Sequence, residues 1–372
     1  MRPTDRAPQD LIQASKTLRH ELQRVSDDYR SQHPWLAHQN AIGLTIFLVS
    51  SIGIVLAGLG YASGTLPAWA VIPTAAFFMS LLHELEHDLI HRLYFKDNKF
   101  LYDTMMFVGW LFRPSTINPW IRRDLHLHHH RASGSESDLE ERGITNGETW
   151  GVRRFLMTFD SMLAIFLRPL TLKRMVWAYI RAQKPASKAE QRRLLWRNRL
   201  SYFPLGTIHY TLWHFWLFVN VGGLVARACG LSLTLPTQLN AWLPTVNFLV
   251  VVWVGPNVLR SFCLHFVSSN MHYYGDIEPR NTIQQTQVWN AAWLLPLQLF
   301  CFNFGSTHGI HHFVVQEPFY LRQLVVSESH ALMRKYGVRF NDFGTFRRNN
   351  RWQRDEVPEE APQLAPTVAE PA

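Results

Sequence analysis

The chain has 372 residues, a formal net charge of +9 and 18 histidines. This length could hold two soluble domains, or one membrane domain with a sizeable polar head. The three cysteines, Cys229, Cys263 and Cys301, lie in apolar surroundings without CxxC spacing, which argues against a disulfide framework. No basic stripe or binding motif stands apart from the apolar segments, so we expect no binding to nucleic acid.

Long charge-free segments define the predicted elements. After a polar N-terminal stretch without a secretory signal, no charged residue occurs from Ala41 to Leu82. The stretch at 60–67, rich in Gly, Ser and Pro, divides this zone into two arms at about 41–62 and 67–90, each long enough to span a membrane. Two further charge-free zones predict a second hairpin with arms at about 206–227 and 243–267. The expected fold is all-α and integral to the membrane, with four transmembrane helices in two hairpins and a cytosolic helical cap.

The basic residues predict the orientation of these helices. Of the 37 Lys and Arg, none lies in the first inter-arm loop, only Arg227 lies beside the second, and Arg260 falls within or just below the fourth helix. By the positive-inside rule, both termini face the cytoplasm. We expect a multi-pass protein of the inner (cytoplasmic) membrane. Its predicted parts are a cytosolic N-terminal segment (1–40), a membrane domain (41–320), a cytosolic C-terminal segment (321–354) and a disordered tail (355–372).

Eleven of the histidines occupy four places in the sequence: 83/87/91, 126/128/129/130, 272 and 308/311/312. On a helix that advances about 100° per residue, each multi-histidine cluster has its members on one face, except His128, which points away. Neutral imidazole is a common ligand of iron, zinc and copper, and this number of rings exceeds the need of a single zinc ion. The pattern predicts a dinuclear metal site on the cytosolic side.

The stretch from His83 to His87 also matches the HExxH signature of zinc proteases. Such a protease needs only one further ligand, which would leave the later clusters unexplained. The sequence also lacks a Leu-Asp-Gly element after an apolar helix. A dinuclear site is therefore the preferred interpretation.

The order of hairpins and histidine clusters resembles the integral-membrane fatty acid desaturase/hydroxylase superfamily over roughly residues 40–320. HDLIHRLYFKDNKFLYD at 87–103 resembles the first histidine box of that family, and HLHHHRASG at 126–134 resembles the second. HGIHHF at 308–313 resembles the third box, and SSNMHYYGD at 268–276 supplies an isolated histidine after the fourth span. The resemblance implies these ligands for two iron ions: His87, His91, His126, His129, His130, His272, His308, His311 and His312.

His83 leaves the frame of the first box open. The HELEH frame resembles the bacterial alkane hydroxylase branch, whereas the HDLIH frame favours His87 and His91, so His83 is an uncertain ligand that we expect to be spare. In acyl-CoA desaturases an Asn stands four residues before the isolated histidine, where this chain has Ser268.

Charged residues near the boxes have two interpretations each. Six acids could orient the imidazole rings or simply face solvent: Glu84, Glu86, Asp88, Asp124, Asp138 and Asp276. Four arginines could meet an anionic head group or only contribute positive charge on the cytosolic side: Arg113, Arg122, Arg123 and Arg131.

The resemblance also implies an activity: an oxidoreductase with a non-haem diiron cofactor and O₂ as co-substrate, acting on a fatty acid or acyl lipid in the membrane. A desaturase is our first expectation. The bacterial branch that decarboxylates free fatty acids to terminal alkenes is the alternative, an alkyl-chain hydroxylase comes third, and a non-catalytic metal-binding receptor of the same scaffold comes last. Neither an HPGG haem motif nor a GxGxxG fingerprint occurs. We therefore expect an external ferredoxin- or rubredoxin-like donor, with its reductase, to dock on the basic face.

Overall fold

The structure, a computed structural model, describes residues 8–279 and 281–353, with side chains from residue 11 onward. The predicted disordered tail at 355–372 lies outside these ranges. Within them the chain is mostly helical, with two isolated β-bridges and no strand, which confirms the all-α prediction. The α-helices are α1 (Pro8–Gln32), α2 (Gln39–Ala62), α3 (Ala68–Ile90), α4 (Lys99–Phe112), α5 (Pro119–Ala132), α6 (Leu139–Ile144), α7 (Val152–Phe159), α8 (Ser161–Leu167), α9 (Pro169–Ala182), α10 (Lys188–Arg199), α11 (Leu205–Leu217), α12 (Gly223–Ala228), α13 (Thr237–Leu249), α14 (Gly255–Met271), α15 (Thr282–Gln285), α16 (Leu295–Leu299), α17 (Phe304–His311), α18 (Phe319–Leu324), α19 (Val326–Tyr336) and α20 (Thr345–Arg348).

The first hairpin consists of α2 and α3, which pack along each other. One face of α2 exposes a stripe of large apolar side chains that includes Leu48, Ile52 and Leu59. A contiguous apolar stripe of this kind is typical of a surface that faces lipid. The last three turns of α3, by contrast, are buried almost throughout. The chain therefore leaves the lipid-facing region before it reaches the first histidine box.

Three helices are long and apolar enough to cross a membrane: Gln39–Ala62, Ala68–Ile90 and Thr237–Met271. The last of these joins α13 and α14 through a π-helical segment, Val250–Val254. The predicted third span, 206–227, corresponds to α11 and α12, joined by another π-helical segment, Phe218–Gly222. It is not among the three, because His209, His214 and Asn220 make it more polar than the others.

Four helix ends meet on one side of these spans. α14 packs on the final turns of α3, α5 also contacts α3, and α17 packs on α14. The N-terminal helix α1 covers the chain just after α17, with Leu18 and Leu22 in the same apolar cluster as Ile310 and Phe313. The described parts of the segments predicted as cytosolic, residues 8–40 and 321–353, thus pack onto the helices that carry the histidines. We refer to this assembly as the cap.

Candidate metal centre

The predicted ligand histidines come from four helix ends that converge inside the cap. His87 lies in the last turn of α3 and His91 caps that helix. His272 caps α14, where the chain turns to extended backbone and pairs with Thr286. The other members lie in the last turns of α5 and α17 or directly after α17: His126, His129, His130, His308, His311 and His312. Residues far apart in sequence therefore meet because each histidine cluster lies at the C-terminal end of its helix.

Eight of these histidines form two groups of four. The first group is His87, His91, His126 and His311, and the second is His129, His272, His308 and His312. Within each group the ligand atoms lie within 4.8 Å of one another. His130 lies beside the first group, with its Nε2 2.9 Å from that of His311 and 3.0 Å from that of His126.

The two groups are in contact. The ring centroids of His87 and His308 lie 5.6 Å apart, and those of His312 and His130, the ring beside the first group, lie 5.1 Å apart. Two metal ions bound at these groups would be neighbours, which is the arrangement of a dinuclear site.

The ring nitrogens test whether the groups fit metal ions. The Nε2 atoms of His126 and His91 are 3.0 Å apart, and those of His272 and His312 are 3.1 Å apart. Ligand nitrogens about 2.1 Å from a shared cation are separated by about this distance. Both ring nitrogens of the buried His87 have no hydrogen-bond partner among the described residues. The donor set therefore fits two imidazole-ligated cations.

Carboxylates hold the opposite ring nitrogens. Nδ1 of His129 lies 2.8 Å from Asp138, and Nδ1 of His126 lies 2.8 Å from Glu140. A carboxylate only accepts hydrogen bonds, so each of these rings carries its proton on Nδ1 and, when neutral, presents the Nε2 lone pair to the group. Without a cation, the Nε2 lone pair of His126 would face two further ring nitrogens at 3.0 Å.

Glu141 performs the same task for His272, with its carboxylate 3.3 Å from Nδ1. The hydroxyl of Ser268 donates to Glu141 at 3.0 Å, and the carbonyl of Ser268 lies 3.2 Å from the same Nδ1. Ser268 occupies the position where acyl-CoA desaturases have Asn, and here it orients the histidine through Glu141.

Burial keeps most of the rings neutral. Desolvation, together with neighbouring imidazoles, lowers the pKa well below its usual value in His126, His130, His308, His311 and His312. Neutral imidazole is the form that binds a metal. His129 differs: burial disfavours its charged form, but the carboxylate of Asp138 outweighs burial and raises the pKa of His129 to about 9. A metal ion at the second group must therefore displace a proton from this ring.

Besides His130, two histidines of the predicted clusters, His83 and His128, lie outside the groups. Nδ1 of His83 lies 3.2 Å from the guanidinium of Arg113. His128 points away from the groups: its ring nitrogens lie 3.0 Å from Ser137 Oγ and 3.1 Å from the amide of Gln183.

Of the six acids that the sequence suggested could orient the rings, only Asp138 contacts an imidazole of the two groups. Asp88 accepts from Arg322 and from the backbone of Phe319, and Asp276 accepts from backbone amides at 352 and 353. Glu84 is buried with its carboxylate 3.8 Å from Arg322. Glu140 and Glu141 also contact imidazole rings, although the sequence pattern did not single them out. Their places two and three residues after Asp138, in SDLEERG, are the signal that could have found them.

The four arginines near the second box also differ in their contacts. Arg113 and Arg122 both pair with Glu86, and Arg122 reaches Glu140 as well. Arg123 donates to the carbonyl of Ile90, and Arg131 is exposed. Arg113 and Arg122 are therefore already neutralised by carboxylates within the cap.

Comparison with known proteins identifies the family. A search of curated proteins finds no match to the chain. The family model for fatty acid desaturases matches residues 63–344, about three quarters of the chain, and this range contains all four histidine-bearing helix ends. The metal-ligand groups described above are built from residues within that match. The chain therefore belongs to the fatty acid desaturase family.

Proposed function

We propose that the protein is an O₂-dependent non-haem diiron desaturase of fatty acyl chains in the cytoplasmic membrane. The observation that carries the proposal is the pair of neighbouring four-histidine groups, to which the ends of two membrane-length helices contribute His87, His91 and His272. Membership of the family supports a fatty acyl substrate and the oxidoreductase class.

Iron bound at the two groups would supply the oxidation, in which O₂ accepts two hydrogens from adjacent carbons, with two external electrons and two protons, and leaves as two waters. Imidazole suits iron, and histidines alone leave coordination positions open for O₂. A dedicated all-nitrogen set also explains why the carboxylates Asp138, Glu140 and Glu141 lie behind the rings.

The protein itself contributes positioning and the exclusion of water. The rings of His308 and His311 are buried, and Phe304 stacks on His308 with centroids 4.0 Å apart. Carboxylates lock the tautomers of His126 and His129, so that the Nε2 atoms point inward before a metal arrives. An alkyl chain held beside such a rigid, dry site reacts at one position, because its carbons cannot shift relative to the oxidising centre.

For the topology, we propose four spans with both termini and the cap in the cytoplasm. The helical run from Leu205 to Ala228, through α11 and α12, would be the remaining span. Its exposed side chains include Phe218, Leu224 and Val225, which suit contact with lipid. The concentration of Lys and Arg in the polar segments supports this orientation.

The electrons would come from an acidic ferredoxin- or rubredoxin-like protein with its reductase. The net charge of +9, with most basic residues in the segments assigned to the cytosol, supports docking of an acidic donor. Purified protein should turn over with such a donor under air. Turnover under argon, or with NADPH and no protein donor, would contradict this part of the proposal.

The product tests the reaction. The protein would be expressed in a bacterium, and headspace volatiles and cellular lipids would be analysed by mass spectrometry. We expect an internal double bond in the acyl chains, lost in His311→Ala and kept in the matched control His128→Ala, whose ring faces away from the groups. A terminal alkene one carbon shorter than the fed acid would identify a decarboxylase instead, and an alcohol as sole product a hydroxylase.

A further inference from the structure

We propose that Arg260 binds the carboxylate of the substrate, so that the enzyme takes its acyl chain as a free fatty acid. This inference rests on the proposed function for what happens to the bound acyl chain, but binding of the fatty acid can be measured without turnover. Arg260 lies in α14, within a membrane-length helix, and only 1 % of its surface is exposed.

Arg260 differs from the neighbouring arginines in its ion pairing. Three guanidinium groups, those of Arg113, Arg122 and Arg260, lie in this part of the interior. Glu86 pairs with the first two, and Glu140 pairs with Arg122. Among the described residues, Arg260 forms no ion pair, so it is a buried cation without an anion. A cation at membrane depth is expensive unless an opposite charge neutralises it, and such residues commonly mark substrate sites.

The hydrogen bonds of Arg260 use only one of its three guanidinium nitrogens. The Nη2 of Arg260 donates to the hydroxyls of Ser115 and Ser261, at 3.0 and 3.1 Å. Its Nε and Nη1 are buried and have no protein acceptor among the described residues. Each of these groups can therefore donate a hydrogen bond to an oxygen atom of a bound anion.

The position of Arg260 along α14 also bears on the reaction. Ser268, whose carbonyl contacts His272, follows Arg260 by eight residues, or about 12 Å along the helix axis. A carboxylate at Arg260 would therefore lie several methylene groups from the histidines. Decarboxylation to a terminal alkene needs the oxidising centre two carbons from the carboxylate. The geometry points instead to a double bond in the interior of the chain.

Competition binding tests the proposal on detergent-purified, iron-loaded protein. Radiolabelled palmitate would be displaced by unlabelled palmitate, by methyl palmitate, which lacks the charge, and by palmitoyl lysophosphatidate, which carries a phosphate. We expect palmitate to compete at least about tenfold better than the other two, and Arg260→Met to abolish its advantage over the methyl ester. Arg260→Lys, which keeps a charge, should retain part of this preference, and the exposed Arg227→Met should retain all of it.

The outcomes separate the alternatives. Equal competition by the methyl ester in the wild type, or an unchanged preference in Arg260→Met, would overturn the proposal, and stronger competition by lysophosphatidate would assign the site to a phospholipid phosphate. If Arg260 has only a structural role, Arg260→Met should have a lower melting temperature than the wild type even without fatty acid. If Arg260 binds the carboxylate, the variant should lose only the rise in melting temperature that palmitate causes. Because binding needs no turnover, a preference for palmitate would stand even if product analysis refuted desaturation.

Discussion

At the residue scale, the carboxylates behind the imidazole rings distinguish an organised metal site from a mere collection of histidines. Asp138, Glu140 and Glu141 each contact the Nδ1 of a different ring. Replacing any one of them by its amide leaves the ligand in place but permits the wrong tautomer, since an amide can donate as well as accept. Mutation of a group that hydrogen-bonds a metal ligand commonly lowers metal affinity by about 10- to 100-fold.

We therefore expect Asp138→Asn, Glu140→Gln and Glu141→Gln each to weaken metal binding by about 10- to 100-fold, measured by competition with a chelator. Asp124→Asn is the matched control, because this acid lies on the same helix as the second box but pairs with Arg197 at the surface. Equal affinity in the control and in all three variants would show that the carboxylates do not orient the ligands.

His83 and His91 give a second prediction at this scale. His91 belongs to the first group, whereas His83 contacts Arg113 and lies outside both groups. His91→Ala should lose iron and turnover, and His83→Ala should keep iron with partial activity. Metal analysis of the two purified variants decides between the frames. Loss of iron in His83→Ala with retention in His91→Ala would assign the first box to His83 and His87.

The sequence could predict which histidines share a helical face, because that follows from spacing alone. It could not show which acids would reach them. Asp88 follows a ligand directly, yet the structure directs it to Arg322, whereas Glu140 reaches His126 from a separate short helix. Pairings of this kind depend on how α6 packs against α5, and local sequence does not encode that packing.

At the scale of elements, a buried ion pair ties the first box to the region after the third. Asp88 in α3 accepts from Arg322 in α18 at 3.1 Å and from the backbone N–H of Phe319 at 2.9 Å. Both charged side chains are almost completely buried. α3, which carries His87, is therefore joined to α18, which follows the helix of His311, by a buried ion pair and a backbone hydrogen bond.

Breaking this pair should destabilise the cap. Removing one partner leaves the other charge buried and unpaired, which typically costs about 3–5 kcal/mol. We expect Arg322→Leu to lower the melting temperature and the iron content, and the double variant Asp88→Asn/Arg322→Leu to recover part of both. The exposed pair of Lys335 and Glu21 provides the control: Lys335→Met should change stability by less than about 1 kcal/mol. A melting temperature in Arg322→Leu equal to that of this control would contradict a joining role.

The ends of the long helices show what hydropathy can and cannot predict. The structure has helices at Gln39–Ala62 and Ala68–Ile90 where arms were predicted at 41–62 and 67–90, because the Gly, Ser and Pro residues at 60–67 mark the turn between them. The predicted arm at 243–267 is shorter than the observed helix Thr237–Met271. Pro236 favours helix initiation at the next residue, and the helix continues into the cap, where protein rather than lipid surrounds its polar end. Hydropathy alone does not distinguish these two surroundings.

At the scale of the whole molecule, the orientation in the membrane can be tested with a native cysteine. Cys229, after α12, is exposed, whereas Cys263 and Cys301 are buried. With four spans and a cytosolic cap, Cys229 lies on the outer face. We expect a membrane-impermeant maleimide to label it in spheroplasts, and Cys229→Ser to lose the label.

A second reporter completes this test. Lys184 is exposed in the segment that we assign to the cytosol. Lys184→Cys in the Cys229→Ser background should react only after the membrane is disrupted. Labelling of both positions from the same side would mean that the run from Leu205 to Ala228 does not cross the membrane.

Metal analysis of the purified wild-type protein shows whether the two histidine groups form one diiron centre. Protein expressed without metal supplementation and purified in detergent should contain about two iron ions per chain, one for each group. Activity should fall in proportion when a chelator removes them and return when ferrous iron is restored. Stoichiometric zinc in place of iron, with activity intact, would show that the two groups do not form a diiron centre.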